Sequence, residues 1–307
     1  MTAETPHIPT YGGQALLEGV LMRGPWLSAS AARRPDGEVE VKVEPNGAWR
    51  APLLRRIPVV RGVVVLGETL VKGMSALQWS ANVSLGETEE QLSGGQMGVI
   101  VAISLAVTAV VFFASPAAAA QLVGGWLPGP LVHVAEGLVR AALLFGYLAL
   151  LGRSAQARRL FAYHGAEHKT IHAFEHGLEL APEHIQPFSC AHPRCGTSFL
   201  LAVVVVSTLV FTLAGDLPLE WRLVSRVVLV PVIAGLSYEV LRFGAAHRNS
   251  VWGQAVVLPG LWLQRFTTRE PDDGQVEVAI AAFQALRLAE ANTPAPQTLH
   301  GSGEINA

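Results

Sequence analysis

Four stretches of this chain are apolar for about the length of a membrane crossing. Residues 97–115 hold no charge, and 131–151 carry His133, Glu136 and Arg140 on one helical face near the start. Residues 199–214 are slightly short, and 223–243 contain Pro231 and Gly235 as kink points. A hydrocarbon core takes about 20 helical residues. The pattern therefore predicts a mainly α, polytopic membrane protein with about four transmembrane helices. Residues 57–81 are also apolar, but Arg61, Glu68 and Lys72, spaced by seven and four, form one polar stripe on a helix. Such a helix suits a place along the membrane surface, or a place packed on the N-terminal region. Residues 256–263, with Pro259-Gly260 and Trp262, are too short to cross and predict an interfacial segment. Pro271-Asp272-Asp273 then opens a soluble amphipathic helix over 276–292, acidic at its start as the helix dipole favours.

The N-terminal pattern differs. Val39, Val41 and Val43 alternate with Glu38, Glu40, Lys42 and Glu44, which predicts a strand with one buried face. Pro35-Asp36-Gly37 separates it from 28–34, and an Asp-Gly turn between two such runs predicts a β-hairpin. Upstream, 12–25 reads as a Gly-rich apolar stretch in which Glu18 sits on a short helix. Its Gly12-Gly13-Gln14 and Arg23-Gly24-Pro25 are read as turns, with anion binding as the weaker alternative.

Composition sharpens the membrane reading. Half of the 307 residues are hydrophobic and 15% are charged, against about 25% charge in ordinary soluble domains. Net charge is −2 and no long basic block occurs, so the partner is the lipid bilayer rather than nucleic acid, with an unknown protein partner or oligomer. The first ten residues lack the basic and apolar regions of a signal peptide. Basic residues set the orientation. Arg50, Arg55, Arg56, Arg61 and Lys72 precede the first span. Arg153, Arg158, Arg159, Lys169 and Arg194 lie between the second and third, and Arg242, Arg248, Arg265 and Arg269 follow the fourth. Both termini and the central segment are thereby expected on the cytoplasmic side of the cell membrane. The organisation is an N-terminal region with a hairpin (1–50), an interfacial helix (51–94), a first membrane hairpin (95–152), a cytoplasmic segment (153–197), a second membrane hairpin (198–246), an interfacial segment with the C-terminal helix (247–292) and a disordered tail (293–307).

The candidate chemistry falls in the cytoplasmic segment. Ser154 is a plausible N-cap for a helix reaching His176, with Gly177 as its stop. His164, His168 and His172 climb one face of it, beside Glu167 and Glu175. His164-Gly165-Ala166-Glu167-His168 has the H-x-x-E-H spacing of inverted zincins, in which two histidines bind zinc and the glutamate polarises a water. Two imidazoles one turn apart can share a cation, and an adjacent carboxylate can take a proton. The third ligand comes either from Glu239, whose alternative is a salt bridge with Arg242, or from the loop carrying Cys190, His192 and Cys195. The two cysteines are expected to stay reduced in the cytoplasm. Cys195, beside Arg194 and a helix start, has a nucleophilic thiolate as its second functional reading. His133, Glu136 and Arg140 are read as structural, Glu136 pairing with Arg140.

Three motifs carry a family resemblance: the run from Gly12 to Pro25, Tyr163-His-Gly-Ala-Glu-His-Lys169, and His192-Pro-Arg-Cys-Gly-Thr-Ser-Phe199. They resemble the YqhQ-like family of bacterial membrane proteins, domain of unknown function 1385. Ser237-Tyr238-Glu239, Pro259-Gly260-Leu261 and Thr267-Thr-Arg-Glu-Pro271 match as well, so the resemblance spans 11–288. It implies a multi-span membrane protein and, through the label of predicted metal-dependent enzyme, lends weight to a metal. It implies no substrate. The expectation is thus a metal site, zinc or another divalent transition metal, with ligands among His164, His168, His192, Cys195 and Glu239. Glu167 is the expected general base and Arg194 the oxyanion or phosphate stabiliser of a metal-dependent hydrolase. The alternative is a non-enzymatic scaffold or assembly factor with a structural metal or polar cluster.

Overall fold

In the computed structural model, four short strands pair in chain order as an antiparallel meander: β1 (Gly12–Leu16), β2 (Gly19–Arg23), β3 (Leu27–Arg33) and β4 (Val39–Pro45). The structure describes residues 10–46, 53–86, 93–122, 125–215 and 217–293. The expected start region (1–9), Arg50 and all but the first residue of the expected tail lie outside them. The hairpin read at Asp36-Gly37 is present, with Arg33 opposite Val39 and Gly37 at φ +93°. A second hairpin, β1–β2, replaces the short helix expected around Glu18, which instead sits in the tight turn with φ 51°. The reason lies in burial. Val20, Leu21 and Met22 are all buried, because β2 is covered on both faces. A strand of that kind shows no alternation and cannot be told from a helix by period.

Leu16 and Leu21 pack on Ala76 of α1 (Val60–Leu85). Val20, Met22, Ala29 and Ala31 point the other way, onto α5 (Ala155–Glu175) and α11 (Asp273–Asn292). The sheet is the middle of three layers. On the edge strand β4 the expected buried face is half-realised. Val39 packs into the core, while Val41 and Val43 stay 39% and 40% exposed. The polar stripe of α1 is engaged by protein. Arg61 binds Glu239, Glu68 binds Arg55, and Lys72 reaches Glu44 at 3.2 Å. The helix packs on the sheet, as the second alternative expects, and also on the helix over 230–246.

The apolar helices follow the sequence pattern with some shifts. α2 (Gly94–Ala109) runs through a π-turn (Val110–Ala114) into α3 (Ser115–Gln121), beyond the end expected at Pro116. Pro116 has no N–H for the carbonyl four residues back, and Arg140 Nε donates to that Phe112 oxygen at 2.8 Å. α4 spans Gly129–Leu151, α7 Ser198–Ala214, and α8 (Leu219–Val228) meets α9 (Val230–Ala246) at a 48° bend. The bend falls at Leu229, nearly two turns before Gly235 and just ahead of Pro231. Among the described residues, 94–120 and 129–151 are long and apolar enough to cross a membrane, and the bent pair makes a third if it is one span. α10 (Val251–Thr267) is a full helix with Pro259 inside it, packed on α7 and α9, rather than a short interfacial segment. Its Gly260 lies where a Cβ would collide with Ser198.

Between these helices lies a buried polar clasp that the sequence read only in part. Glu136 pairs with Arg140 at 2.7 Å, as the spacing suggested, and Arg226 from α8 reaches the same carboxylate at 2.6 Å and 3.0 Å. Ser207 of α7 accepts from Arg140 at 3.1 Å, and both guanidiniums lie over the Phe211 ring.

Candidate metal centre

α5 begins as predicted, with Ser154 capping the Ala157 amide, and ends at Gly177, φ +68°. Its His164, His168 and His172 each tie one ring nitrogen to a backbone carbonyl. His164 Nδ1 meets Thr267 O at 2.8 Å, His168 Nδ1 meets Cys190 O at 2.6 Å, and His172 Nε2 meets Ala191 O at 2.9 Å. A neutral imidazole that donates from one nitrogen has its lone pair on the other, and metal-binding histidines are usually held this way. Gly165, in the middle of the motif, has a packing reason. A Cβ there would strike the Arg269 carbonyl oxygen and approach Cys190 Sγ to 3.1 Å. The strand-like Thr268–Pro271 link passes directly over this turn of α5, and the Arg269 amide donates to Phe161 O at 2.9 Å.

The second motif folds back over the helix. A short helix, α6 (Pro182–Ile185), turns the chain. Gln264 of α10 then clamps the His192 backbone from both sides, accepting its N–H at 2.8 Å and donating to its C=O at 2.9 Å. This places Cys195 Sγ 3.2 Å from His164 Nε2, and His164, His168 and Cys195 offer ligand atoms all within 4.8 Å of one another. Tetrahedral zinc, with bonds of about 2.0–2.3 Å, wants its ligands a little closer than that, a difference that small side-chain rotations cover. His192 does not join this group. It falls with His172 and Glu175, whose ligand atoms also lie within 4.8 Å of one another.

Glu167 turns from the histidine row toward β1. It is buried, its Oε2 has no hydrogen-bond partner among the described residues, and burial raises its carboxyl to about 7 against the pull of His164 and the Gly13 backbone. Gly13 has to be glycine, since a Cβ would strike the Leu21 carbonyl oxygen and sit 2.9 Å from Glu167 Cδ. The N-terminal glycine motif thus meets the H-x-x-E-H motif across a cavity of about 360 Å³. That cavity is lined by Gly12, Gly13, Gln14, His164, Glu167, His168, His192, Arg194 and Cys195, among others. The sequence offered the Gly-Gly pair only as turns or an anion cradle, and nothing in its spacing pointed to Glu167.

Three expected residues are placed differently. Glu239 is held by Arg61 at 2.6 Å and by the Val59 amide at 3.2 Å, and no metal-capable group among the described residues includes it. Its partner is Arg61 of α1 rather than Arg242, a contact between elements 178 residues apart. Cys190 packs near Arg269 O, with burial pushing its thiol up to about 12. Arg194 lines the cavity but is paired with Glu175. Burial, then His172 and His168, push His192 down to about 3, and burial lowers His172 too, so both rings stay neutral. Lys169, itself buried, binds Glu270 at 2.5 Å and Gln186 O at 2.7 Å, fastening the loop and the α10–α11 link to the helix.

Fold and site together define a mainly helical protein in which helices of membrane-crossing length stand beside a sheet-centred module holding a His/Cys/Glu cavity. The family model described as protein of unknown function (DUF1385) matches residues 57–288. The Bacillus subtilis (strain 168) protein named uncharacterized protein YqhQ is 36% identical over 298 residues, covering 92% of this chain and 94% of that one. The chain belongs to the DUF1385 family. No solved structure matches it.

Proposed function

We propose that the chain is a four-span protein of the bacterial cytoplasmic membrane whose cytoplasm-facing cavity binds a divalent transition metal, zinc by preference, and serves as a metal-dependent hydrolase. One observation carries the reading: His164, His168 and Cys195 converge in a cavity that also buries the unpartnered Oε2 of Glu167. Three protein ligands among the described residues would leave a fourth position open, as catalytic rather than structural zinc requires, which favours the enzyme over the scaffold. When bound, the cation supplies Lewis acidity that polarises a substrate oxygen and makes a water more acidic. The chain's own groups do the rest. The Thr267 and Cys190 carbonyls fix the two imidazoles in the ligating tautomer. Glu167, one residue from His168 and turned into the cavity, accepts the proton of the attacking water and returns it to the leaving group. Arg194 lines the same wall, and stabilises a substrate oxyanion or phosphate oxygen while dividing its donors with Glu175. The basic residues flanking the apolar runs support the orientation, since they concentrate on the side that carries the cavity.

The test is metal content and hydrolysis together, on full-length protein in detergent. Wild type retains stoichiometric metal, His168→Ala loses it from this position, and Glu167→Gln keeps it while losing turnover of ester, phosphoester or peptide probes. A wild-type protein without metal, or a Glu167→Gln variant as active as wild type on a probe that the wild type turns over, ends the proposal.

A further inference from the structure

We infer that a second cation position, formed by His172, Glu175 and His192, lies next to the first, behind the part of the cavity wall that His192 and Arg194 form. It rests on the reading of this cavity as a metal centre, yet it shares no ligand with the first position, so the two can fail separately. The three residues offer ligand atoms within 4.8 Å of one another. His172 has Nε2 fixed by the Ala191 carbonyl at 2.9 Å, a backbone anchor like those of His164 and His168 but on the other ring nitrogen, which leaves Nδ1 to bind. His192 is 3% exposed, and its Nε2 is buried without a hydrogen-bond partner. It faces Glu175 Oε2 at 3.6 Å, too far for a hydrogen bond and close enough for a shared ion. An orphaned imidazole nitrogen in that setting is destabilising, and the Gln264 clamp on both sides of the His192 backbone holds it there.

The remaining groups fit a ligand role. Arg194 occupies Oε1 of Glu175 and leaves Oε2 facing His192, the hydrogen-bonded arrangement expected of a ligating carboxylate. His192 Nδ1 takes the Arg194 amide at 3.3 Å, and a cation on Nε2 exchanges that long contact for a proton on Nδ1. Ring centroids run 4.4 Å from His164 to His168, 5.6 Å from His168 to His192 and 4.6 Å from His192 to His172, so the two positions adjoin along one row. Their chemistry differs. The first includes a thiolate and suits zinc, whereas two histidines and a carboxylate also accept iron(II) or manganese.

Full-length protein in detergent is stripped of metal, reloaded with Zn²⁺ or Co²⁺, and metal per chain is measured for wild type, His168→Ala, His172→Ala and Glu175→Gln. The expected contents are two, one, one and one. The thiolate-to-cobalt absorption band survives in His172→Ala and Glu175→Gln and vanishes in Cys195→Ser. If His172→Ala and Glu175→Gln both keep the wild-type content, the second position is refuted while the first stands. If His168→Ala leaves the content unchanged but His172→Ala lowers it, the first position falls instead. Glu175→Gln, which alters charge with little change of shape, guards against a misfolded alanine variant, and melting of each variant checks its fold.

Discussion

Glu167 is the residue at which folding and chemistry pull apart. Burial holds its carboxyl near pH 7 against an ordinary value of 4.5, so the folded chain binds a proton that the unfolded chain has released. Stability then falls as pH rises from about 4.5 through 7 and is flat above that. At 1.36 kcal/mol per unit, the cost is on the order of 3 kcal/mol. With the cation chelated away, Glu167→Gln is expected to melt higher than wild type at pH 8 and about equally at pH 4.5. A gap that does not shrink toward acid would contradict this. Gly165 sets a different contest. Replacing a helical glycine by alanine gains about 1 kcal/mol of propensity, but here the methyl collides with the Arg269 carbonyl. Overpacking of that kind costs about 1–3 kcal/mol, with backbone on the other side unable to yield. Gly165→Ala should therefore lower the melting temperature, and an unchanged or raised value would show that the link over α5 can move.

Among the elements, the clasp joining α2, α4, α7 and α8 sets two arginines around one carboxylate, each of the three residues about 2% exposed. The order of damage follows from what each deletion leaves behind. Arg226→Ala leaves a balanced Glu136–Arg140 pair. Glu136→Ala leaves two guanidiniums over Phe211 with no counter-charge, a loss of about 3–5 kcal/mol by the rule for broken buried pairs. Thermal unfolding in detergent is expected to rank Glu136→Ala well below Arg226→Ala. The reverse ranking would mean that Glu136 is not the hub. Such residues within apolar helices also mark function in many membrane proteins; here their donors go to Glu136, Phe112 O, Ser207 and Ser225, which describes a fastener.

At the scale of the whole molecule, the proposed four-span orientation would put the α3–α4 connection and the site on opposite sides of the membrane. Trp126, 88% exposed, and Glu183, exposed on α6, serve as markers. In cells whose outer barrier has been removed, Trp126→Cys should react with a membrane-impermeant maleimide, while Glu183→Cys should react only after lysis, against the wild-type background of Cys190 and Cys195. Equal labelling of both before lysis would rule the orientation out. The same arrangement explains why sheet, α5 and α11 form one module. The inner strands β2 and β3 are buried on both faces, so the sheet needs α1 on one side and the α5–α11 pair on the other, and the cavity forms where β1 meets α5.

What the sequence determined by itself is whatever depends on local period and local caps. The Ser154 start and Gly177 stop of α5, the Asp272 capping box of α11, the Asp36-Gly37 hairpin and the apolar runs were all legible, because each is written within a few residues. So was the histidine row, since a spacing of four needs only a helix to align it. Tertiary structure decided the rest. Strand β2, buried on both faces, has no alternation to read. Cys195 goes to His164 and His192 to Glu175 because Gln264, over 65 residues away in the chain, clamps the loop. Glu239 is taken by Arg61, and the Gly13 that the motif around Glu167 requires lies in a strand more than 150 residues upstream. Spacing encodes what shares a face; which faces meet is set by how helices and sheet bury one another's apolar surface, and that sum is taken over the whole chain.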